Sequence, residues 1–294
     1  MLQDIERFLA ERDYATETLE KYRRFLGDLA VVLAEKGLAP EATSPTDLRQ
    51  WLDGRSTWGP MMKYVASCAI RGFFRWRFGE AHSAAHFRMK RPTAGPQRTL
   101  AADELSKILA ACEGDAEVRI RDRALVMLAL DTGLRSLEIC RLETRHVDLE
   151  QRVLTAFVKG RKWRQAWFSK PTAEAVARWL EIRQRIARAG VPTVFVALGG
   201  RRNARSARGE PLARYGLTVI MRYLAQRAGV RTFGPHSFRR SMCVNALRRN
   251  APSRVVQKMG GWSSIEMVEV YSRNMELSAV DLDGFFATSK ESEP

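Results

Sequence analysis

Gly234-Pro235-His236-Ser237-Phe238-Arg239-Arg240 and Met259-Gly260-Gly261-Trp262-Ser263-Ser264-Ile265-Glu266-Met267-Val268-Glu269-Val270-Tyr271 decide how this 294-residue chain is read. His236 and Arg239 stand three apart, so on a helix their tips share one face. Pro235 suits the first position of a helix, and a helix start is an anion site because its N–H groups lack partners. A guanidinium offers a bidentate fork and an imidazole gives or takes a proton, so the pair suits a phosphate. Downstream, Ser263 and Glu266 have the spacing of a capping box, which predicts a helix starting just after Trp262. Met267, Val268 and Val270 supply its apolar positions, and Tyr271 follows about two turns in. Taken alone, Tyr271 is either a packed aromatic or a nucleophile, and most tyrosines are structural.

Composition narrows the partners. The net charge is +16 and hydrophobic residues make up 45%. The charge is uneven: residues 1–90 carry 14 Lys/Arg against 12 Asp/Glu, residues 91–280 carry 34 against 17, and the last fourteen carry 1 against 4. The excess in the second part points to a polyanion, double-stranded DNA first, with a merely solvated basic surface as the alternative. Cys68, Cys112, Cys140 and Cys243 are scattered without a CxxC pair, which excludes a zinc ribbon and a disulfide framework. The start has no signal-peptide pattern and the longest apolar run, Ala124–Leu130, is too short for a bilayer, so a cytoplasmic location is expected.

Periodicity predicts a mainly α chain with a small β-hairpin or sheet, in two domains. Residues 1–90 read as helices over Asp4–Arg12, Thr16–Lys36, a short one capped by Thr46-Asp47, and Pro60–Phe78. Arg71 and Arg75 interleave with aromatics on the last of these; they either grip a DNA backbone or snorkel from a buried stripe. Arg91–Arg98, with two prolines and a glycine, is a linker. The second domain, 99–280, opens on a helix started by Asp103. A buried helix over Arg119–Leu130 is broken at Thr132-Gly133, and a new helix over Leu134–Leu142 has Arg135 in its first turn. Strands at Arg152–Val158 and Gln165–Phe168 flank a basic hairpin, Lys159-Gly-Arg-Lys-Trp-Arg164, in which Arg161, Lys162 and Arg164 are candidate DNA contacts. A helix over Thr172–Ala189, a short strand at Thr193–Ala197 and a helix over Leu217–Ala228 follow. Gly199–Pro211 is a glycine- and arginine-rich loop, with Arg201 and Arg202 as DNA contacts or simply solvated charges.

Asp131-Thr-Gly-Leu-Arg-Ser-Leu-Glu-Ile-Cys-Arg-Leu142 resembles the first arginine box of the tyrosine recombinases, the phage integrase family. There that arginine is followed by a lysine on a β-hairpin, then His-x-x-Arg, then His or Trp, then Tyr. Arg135, Lys159, His236, Arg239, Trp262 and Tyr271 stand in that order, with 24 residues from Arg135 to Lys159 and nine from Trp262 to Tyr271, spacings like those of Xer-type enzymes. The motifs cover roughly residues 100–275, and six in order are far more specific than any one. The resemblance implies a helical DNA-binding domain, a mixed α/β catalytic domain, and DNA cleavage and rejoining through a covalent 3′-phosphotyrosine, without ATP, metal or other cofactor. Under it Arg135 and Arg239 clamp the scissile phosphate, Tyr271 attacks, Lys159 protonates the leaving 5′ oxygen, and His236 assists proton transfer. Lys162 is the competing lysine; Lys159 is preferred for its spacing and its place at the end of the first strand rather than in the exposed turn. Trp262, where many members carry His, donates through Nε1–H to a phosphate oxygen or only packs. Glu138 orients the site or forms a plain ion pair with Arg135.

The acidic tail, 281–294, carries Phe285 and Phe286. The family resemblance makes them anchors in a neighbouring subunit within a tetramer on DNA; docking on their own domain is the alternative. Two other functions stay open at this point: a type IB topoisomerase-like nicking-closing enzyme, and a non-catalytic DNA-binding or architectural protein on the same scaffold. Neither the target site nor any accessory protein is readable.

Overall fold

In the computed structural model the residues described are 1–93, 98–158, 162–199, 207–273 and 275. The chain divides into two compact units, Met1–Gly95 and Pro96–Pro294. No described helix is long and apolar enough to cross a membrane.

The first unit is helical: α1 (Leu2–Ala10), α2 (Thr16–Glu35), α3 (Pro45–Asp53) and α4 (Pro60–Phe78). Ile5, Phe8 and Leu9 of α1 meet Phe25, Leu26 and Leu29 of α2 and Ile70, Phe73 and Phe74 of α4 in one core. Full burial of each such side chain stabilises by roughly 1.5–3 kcal/mol. The cap of α3 differs from the predicted Thr46-Asp47: Ser44 is the N-cap and Asp47 stands at N3 in a capping box, with its carboxylate accepting from the Ser44 N–H at 2.9 Å. On α4, Arg75 Nε pairs with Glu80 at 2.7 Å and Arg71 is half-buried over Cys68.

The second unit holds α5 (Ala102–Ala110), α6 (Glu117–Thr132), α7 (Ser136–Arg141), β1 (Val147–Asp148), β2 (Val153–Val158), β3 (Lys162–Trp167), α8 (Lys170–Ile186), α9 (Arg214–Ala228), α10 (Pro235–Arg248), α11 (Ser253–Gly260) and α12 (Glu266–Ser272). The mainly α, two-domain expectation therefore describes the chain. The buried helix α6 lies at the centre, with α8 and α10 packed against it. Asp131 near its end ties it to α8, because its carboxylate accepts the N–H (2.8 Å) and hydroxyl (2.7 Å) of Ser169. Thr172 Oγ1 donates to the same oxygen at 2.6 Å. Gly133 ends α6 in the left-handed conformation, φ +58°, where a β-carbon would also strike Met242 at 2.4 Å.

The sheet is antiparallel in the order β1-β2-β3. Its register departs from the expectation. β3 starts at Lys162 rather than Gln165, so Lys162, Trp163 and Arg164 are strand residues paired with Val158, Phe157 and Ala156. Alternation then puts Arg164 and Ala166 on one face and Trp163, Gln165 and Trp167 on the other. Thr193–Ala197 makes only isolated bridges, Glu143 with Thr193 and Val196 with Pro211. On α5 it is Glu104, not Asp103, that secures the start, its carboxylate accepting the Ala101 N–H at 3.1 Å. The capping box predicted on Ser263 does not form: α12 begins at Glu266, whose N–H donates to Ser264 Oγ at 3.2 Å. Helix α11 was not foreseen as a separate element.

Candidate active site

Arg135 is the N-cap of α7. Two residues after the Gly133 turn, it is held by Glu138, whose Oε2 accepts the Arg135 backbone N–H at 2.8 Å and whose Oε1 accepts Nη1 at 2.7 Å. The Glu138 side chain is 5% exposed and that of Arg135 37%. The carboxylate thus works from the interior while the guanidinium faces outward. A bond that combines charge with a backbone donor fixes the arginine more firmly than a surface ion pair.

Helix α10 starts at Pro235 with Gly234 as its N-cap and carries His236 and Arg239 in its first turns. Arg239 is almost wholly buried, at 2%. Its Nη1 donates to the Gly133 carbonyl and its Nη2 to the Gly260 carbonyl at 2.5 Å. A guanidinium has five donors, so two carbonyl bonds do not exhaust it. Its carbon sits 4.5 Å from the centre of the Trp262 ring. Burial, followed by the charge of Arg135, pushes the Arg239 pKa down to about 10, which leaves it charged at neutral pH. His236 lies nearer the surface, and its pKa is lowered by desolvation and then by Arg240, Arg239, Arg135 and Arg214. The imidazole is therefore kept neutral and fit to accept a proton.

Trp262 joins this arginine to the tyrosine. Gln257 accepts its backbone N–H at 3.1 Å and returns a side-chain N–H to its carbonyl at 3.1 Å. Its ring lies 5.3 Å from that of Tyr271 at an interplanar angle of 58°, and Tyr271 is half-buried against the small core of Met242, Cys243, Val256, Trp262 and Val268. The Trp262 Nε1–H is buried and finds no hydrogen-bond partner among the described residues. A buried donor left unmade costs roughly 1–3 kcal/mol, and an arriving oxyanion would remove that cost.

Five of the six predicted catalytic residues are thus among the described ones. Arg135, Arg239, Trp262 and Tyr271 form a connected set, with His236 one turn before Arg239. Lys159 and Arg161 fall outside the described residues, as do Arg201, Arg202, Phe285 and Phe286. Lys162 opens β3, is exposed, and shares the face of Arg164, so it is not the exposed-turn residue the sequence suggested. Arg164 does not fit the DNA-contact expectation. Its side chain is 10% exposed, and it donates through Nη1 to the Met259 carbonyl at 2.7 Å and through Nη2 to the Thr132 carbonyl at 3.3 Å. Its register on β3 turns it inward. Sequence reading also missed Gln257 and the paired glycines 260 and 261; the Gly-Gly-Trp string was their one visible signal.

Comparison with known proteins decides the family. Residues 98–277 match the Phage integrase family. The chain belongs to that family. It is 30% identical over 290 residues to Tyrosine recombinase XerC of Mycobacterium tuberculosis, covering 92% of this chain and 93% of that one. The XerC of Mycobacterium leprae is 30% identical over 264 residues, 85% of this chain and 86% of that one. Among solved structures, XerH site-specific recombinase bound to difH substrate superposes with a TM-score of 0.69 at 19% identity, over 99% of this chain and 85% of that one. A lambda integrase dimer bound to a COC′ core site gives 0.69 at 19% identity, over 94% and 78%. These two establish likeness of fold across both units.

Proposed function

We propose that this family member, a site-specific tyrosine recombinase, uses the arrangement around Arg239 to hold a scissile DNA phosphate while Tyr271 attacks it. Membership of the phage integrase family and the similarity to XerC over nearly the full chain establish the reaction class; the assignment of roles to residues is the proposal. Tyr271 Oη bonds to phosphorus, the 5′ oxygen departs with a proton, and a 3′-phosphotyrosine conserves the bond energy, so rejoining needs no ATP. Arg135 and Arg239 balance the charge gathering on the non-bridging oxygens. Trp262 adds its Nε1–H, and neutral His236 takes the tyrosine proton. Lys159 protonates the leaving oxygen, with Lys162 as the competing donor. Glu138 positions Arg135.

One observation carries this reading: the buried Trp262 N–H, without a partner among the described residues, lies on a ring that has the charged Arg239 guanidinium over it and Tyr271 beside it, while Arg135 is held by Glu138. Such a site is complete only with an anion. Double-stranded DNA is the partner, as for the DNA-bound recombinases of like fold. Arg71, Arg75, Lys162 and the loop arginines 161, 201 and 202 would add counterion release. Residues 281–294, through Phe285 and Phe286, would join neighbouring subunits into a tetramer on two sites, in a cytoplasmic setting.

The test is covalent trapping. Sheared, nicked genomic DNA from the source organism is incubated with the protein, and SDS-resistant adducts are recovered and sequenced. An adduct formed by the wild type and absent with Tyr271→Phe supports the assignment and locates the target. An adduct that survives Tyr271→Phe defeats it, and salt-sensitive binding with no adduct favours a non-catalytic DNA-binding role.

A further inference from the structure

Two arginines from different elements grip the same two turns. Arg239 of α10 donates to the carbonyls of Gly133 and Gly260. Arg164 of β3 donates to the carbonyls immediately before them in the chain, Thr132 and Met259. The first turn ends α6 and leads into Arg135. The second ends α11 and leads into Trp262 and, ten residues beyond Gly261, Tyr271. Arg164 Nη2 also lies 4.0 Å from Glu138, the carboxylate that holds Arg135.

We propose that Arg164 is a positioning residue of the cleavage reaction: from β3 it fixes the turn before Arg135 against the turn before Trp262. The inference rests on the role given above to Arg135, Trp262 and Tyr271. Three features support it. A planar fork can place two donors on two separate carbonyls, which a lysine ammonium on a flexible stem does less well. The backbone is shaped to admit this side chain: Gly261, at φ +59°, would carry a β-carbon 2.1 Å from Arg164 Cδ. Finally, Arg164 Nε is buried without a partner among the described residues, and burial lowers the Arg164 pKa. An arginine kept under that cost serves geometry better than it serves stability alone. Because Arg164 stands on β3, the same side chain sets the paired strands β2 and β3 relative to the phosphate clamp.

The experiment uses the full chain on the nicked duplex recovered by trapping. Single-turnover cleavage, DNA affinity in a Tyr271→Phe background and thermal midpoint are measured for Arg164→Lys and for Gly261→Ala, which crowds the same side chain from the other side. Each is expected to cleave about 10–100-fold more slowly, as a displacement near 1 Å does, with affinity within about twofold of the parent. A 5′-bridging phosphorothiolate substrate separates this role from proton donation, since a thiolate leaves without a proton. It should rescue Lys159→Ala and leave the Arg164→Lys defect in place. Cleavage by Arg164→Lys at the wild-type rate, a loss that merely tracks weaker binding and a lower thermal midpoint, or full rescue by the thiolate would each overturn the proposal. Absence of any wild-type adduct would defeat the reading of the site as a whole, and this inference with it; a wild-type adduct formed equally well by Arg164→Lys defeats this inference alone.

Discussion

Replacing Gly260 by Ala gives a sharp test of how closely the site is packed. A β-carbon there would lie 2.1 Å from Trp262 Cζ3, whereas ordinary contact begins at 3.4 Å, so the indole must retreat by about 1.3 Å. The ring has little room to do so. It is 7% exposed, with the Arg239 guanidinium 4.5 Å from its centre and Tyr271 at 5.3 Å. Overpacking of this kind costs about 1–3 kcal/mol, and a unit of this size loses about 2–4 °C of Tm for each kcal/mol. The effect on chemistry should be larger, because misplacing reacting groups by about 1 Å costs on the order of 10²-fold. The assay is single-turnover formation of the SDS-resistant adduct beside a thermal melt. Gly27→Ala, mid-helix in α2 with open space around it, is the control; it should gain about 0.5–1 kcal/mol and cleave normally. Cleavage by Gly260→Ala within about threefold of wild type would refute the claim that Trp262 is held between Arg239 and Tyr271.

The other predictions concern single groups. Arg239→Ala should cost about 2–4 kcal/mol, since two interior carbonyls lose their donor and a cavity opens, and adduct formation should vanish; a chemical-denaturation midpoint unchanged from wild type would contradict this. The folded-state pKa of His236 lies below its ordinary value, so the unfolded chain binds the proton more readily, and this group's contribution to stability weakens as pH falls through the ordinary histidine range near 6.5. The same shift keeps the imidazole neutral, so the cleavage rate should hold its plateau below pH 6.5 and decline only at lower pH, with His236→Gln abolishing that lower limb; a midpoint at or above 6.5 would show that burial and the neighbouring arginines do not govern it. Lys159→Ala and Lys162→Ala can be told apart with the phosphorothiolate substrate: rescue of the first and near-normal cleavage by the second is expected, and the reverse would exchange their roles. Arg75→Ala should lower the salt slope of DNA binding by about one; an unchanged slope would leave Arg75 to its ion pair with Glu80.

Sequence reading singled out residues that the structure also brings close together, because the proposed chemistry demands residue types at helical intervals. His236 and Arg239 share a face of α10, and Glu138 stands three residues after Arg135, where it reaches both the backbone and the guanidinium. What was misread had a local cause. The segment 159–164 reads as uniformly basic, which suggests a surface contact for Arg164; only strand register decides which face a residue points to, and one residue of slip reverses it. The box on Ser263 had the right letters, but the chain after Trp262 keeps one more turn before the helix, and Ser264 satisfies the first donor instead. Ser44, Thr46 and Asp47 all carry capping side chains, and it is Pro45 at the first helical position that makes Ser44 the cap. Asp131 acts across the fold, on the start of α8, and no periodicity announces such a contact; Gln257 acts locally, in the turn that ends α11 before Trp262.

The start of the second unit carries a lesson for anyone cutting or grafting this chain. Leu100 donates its N–H to Ser241 Oγ at 2.9 Å. The Arg98 carbonyl accepts from Arg240 Nη1 at 3.0 Å, and the Arg98 side chain reaches the Thr232 carbonyl at 3.1 Å. These ties fall on the helix that bears His236 and Arg239 and on the segment entering it. A fragment begun at residue 99, where sequence reading placed the domain edge, would therefore remove the outer fastening of α10 while leaving His236 and Arg239 in the chain. A junction placed upstream of Arg98 keeps the fastening, and chimaeras that exchange the first unit should be joined there.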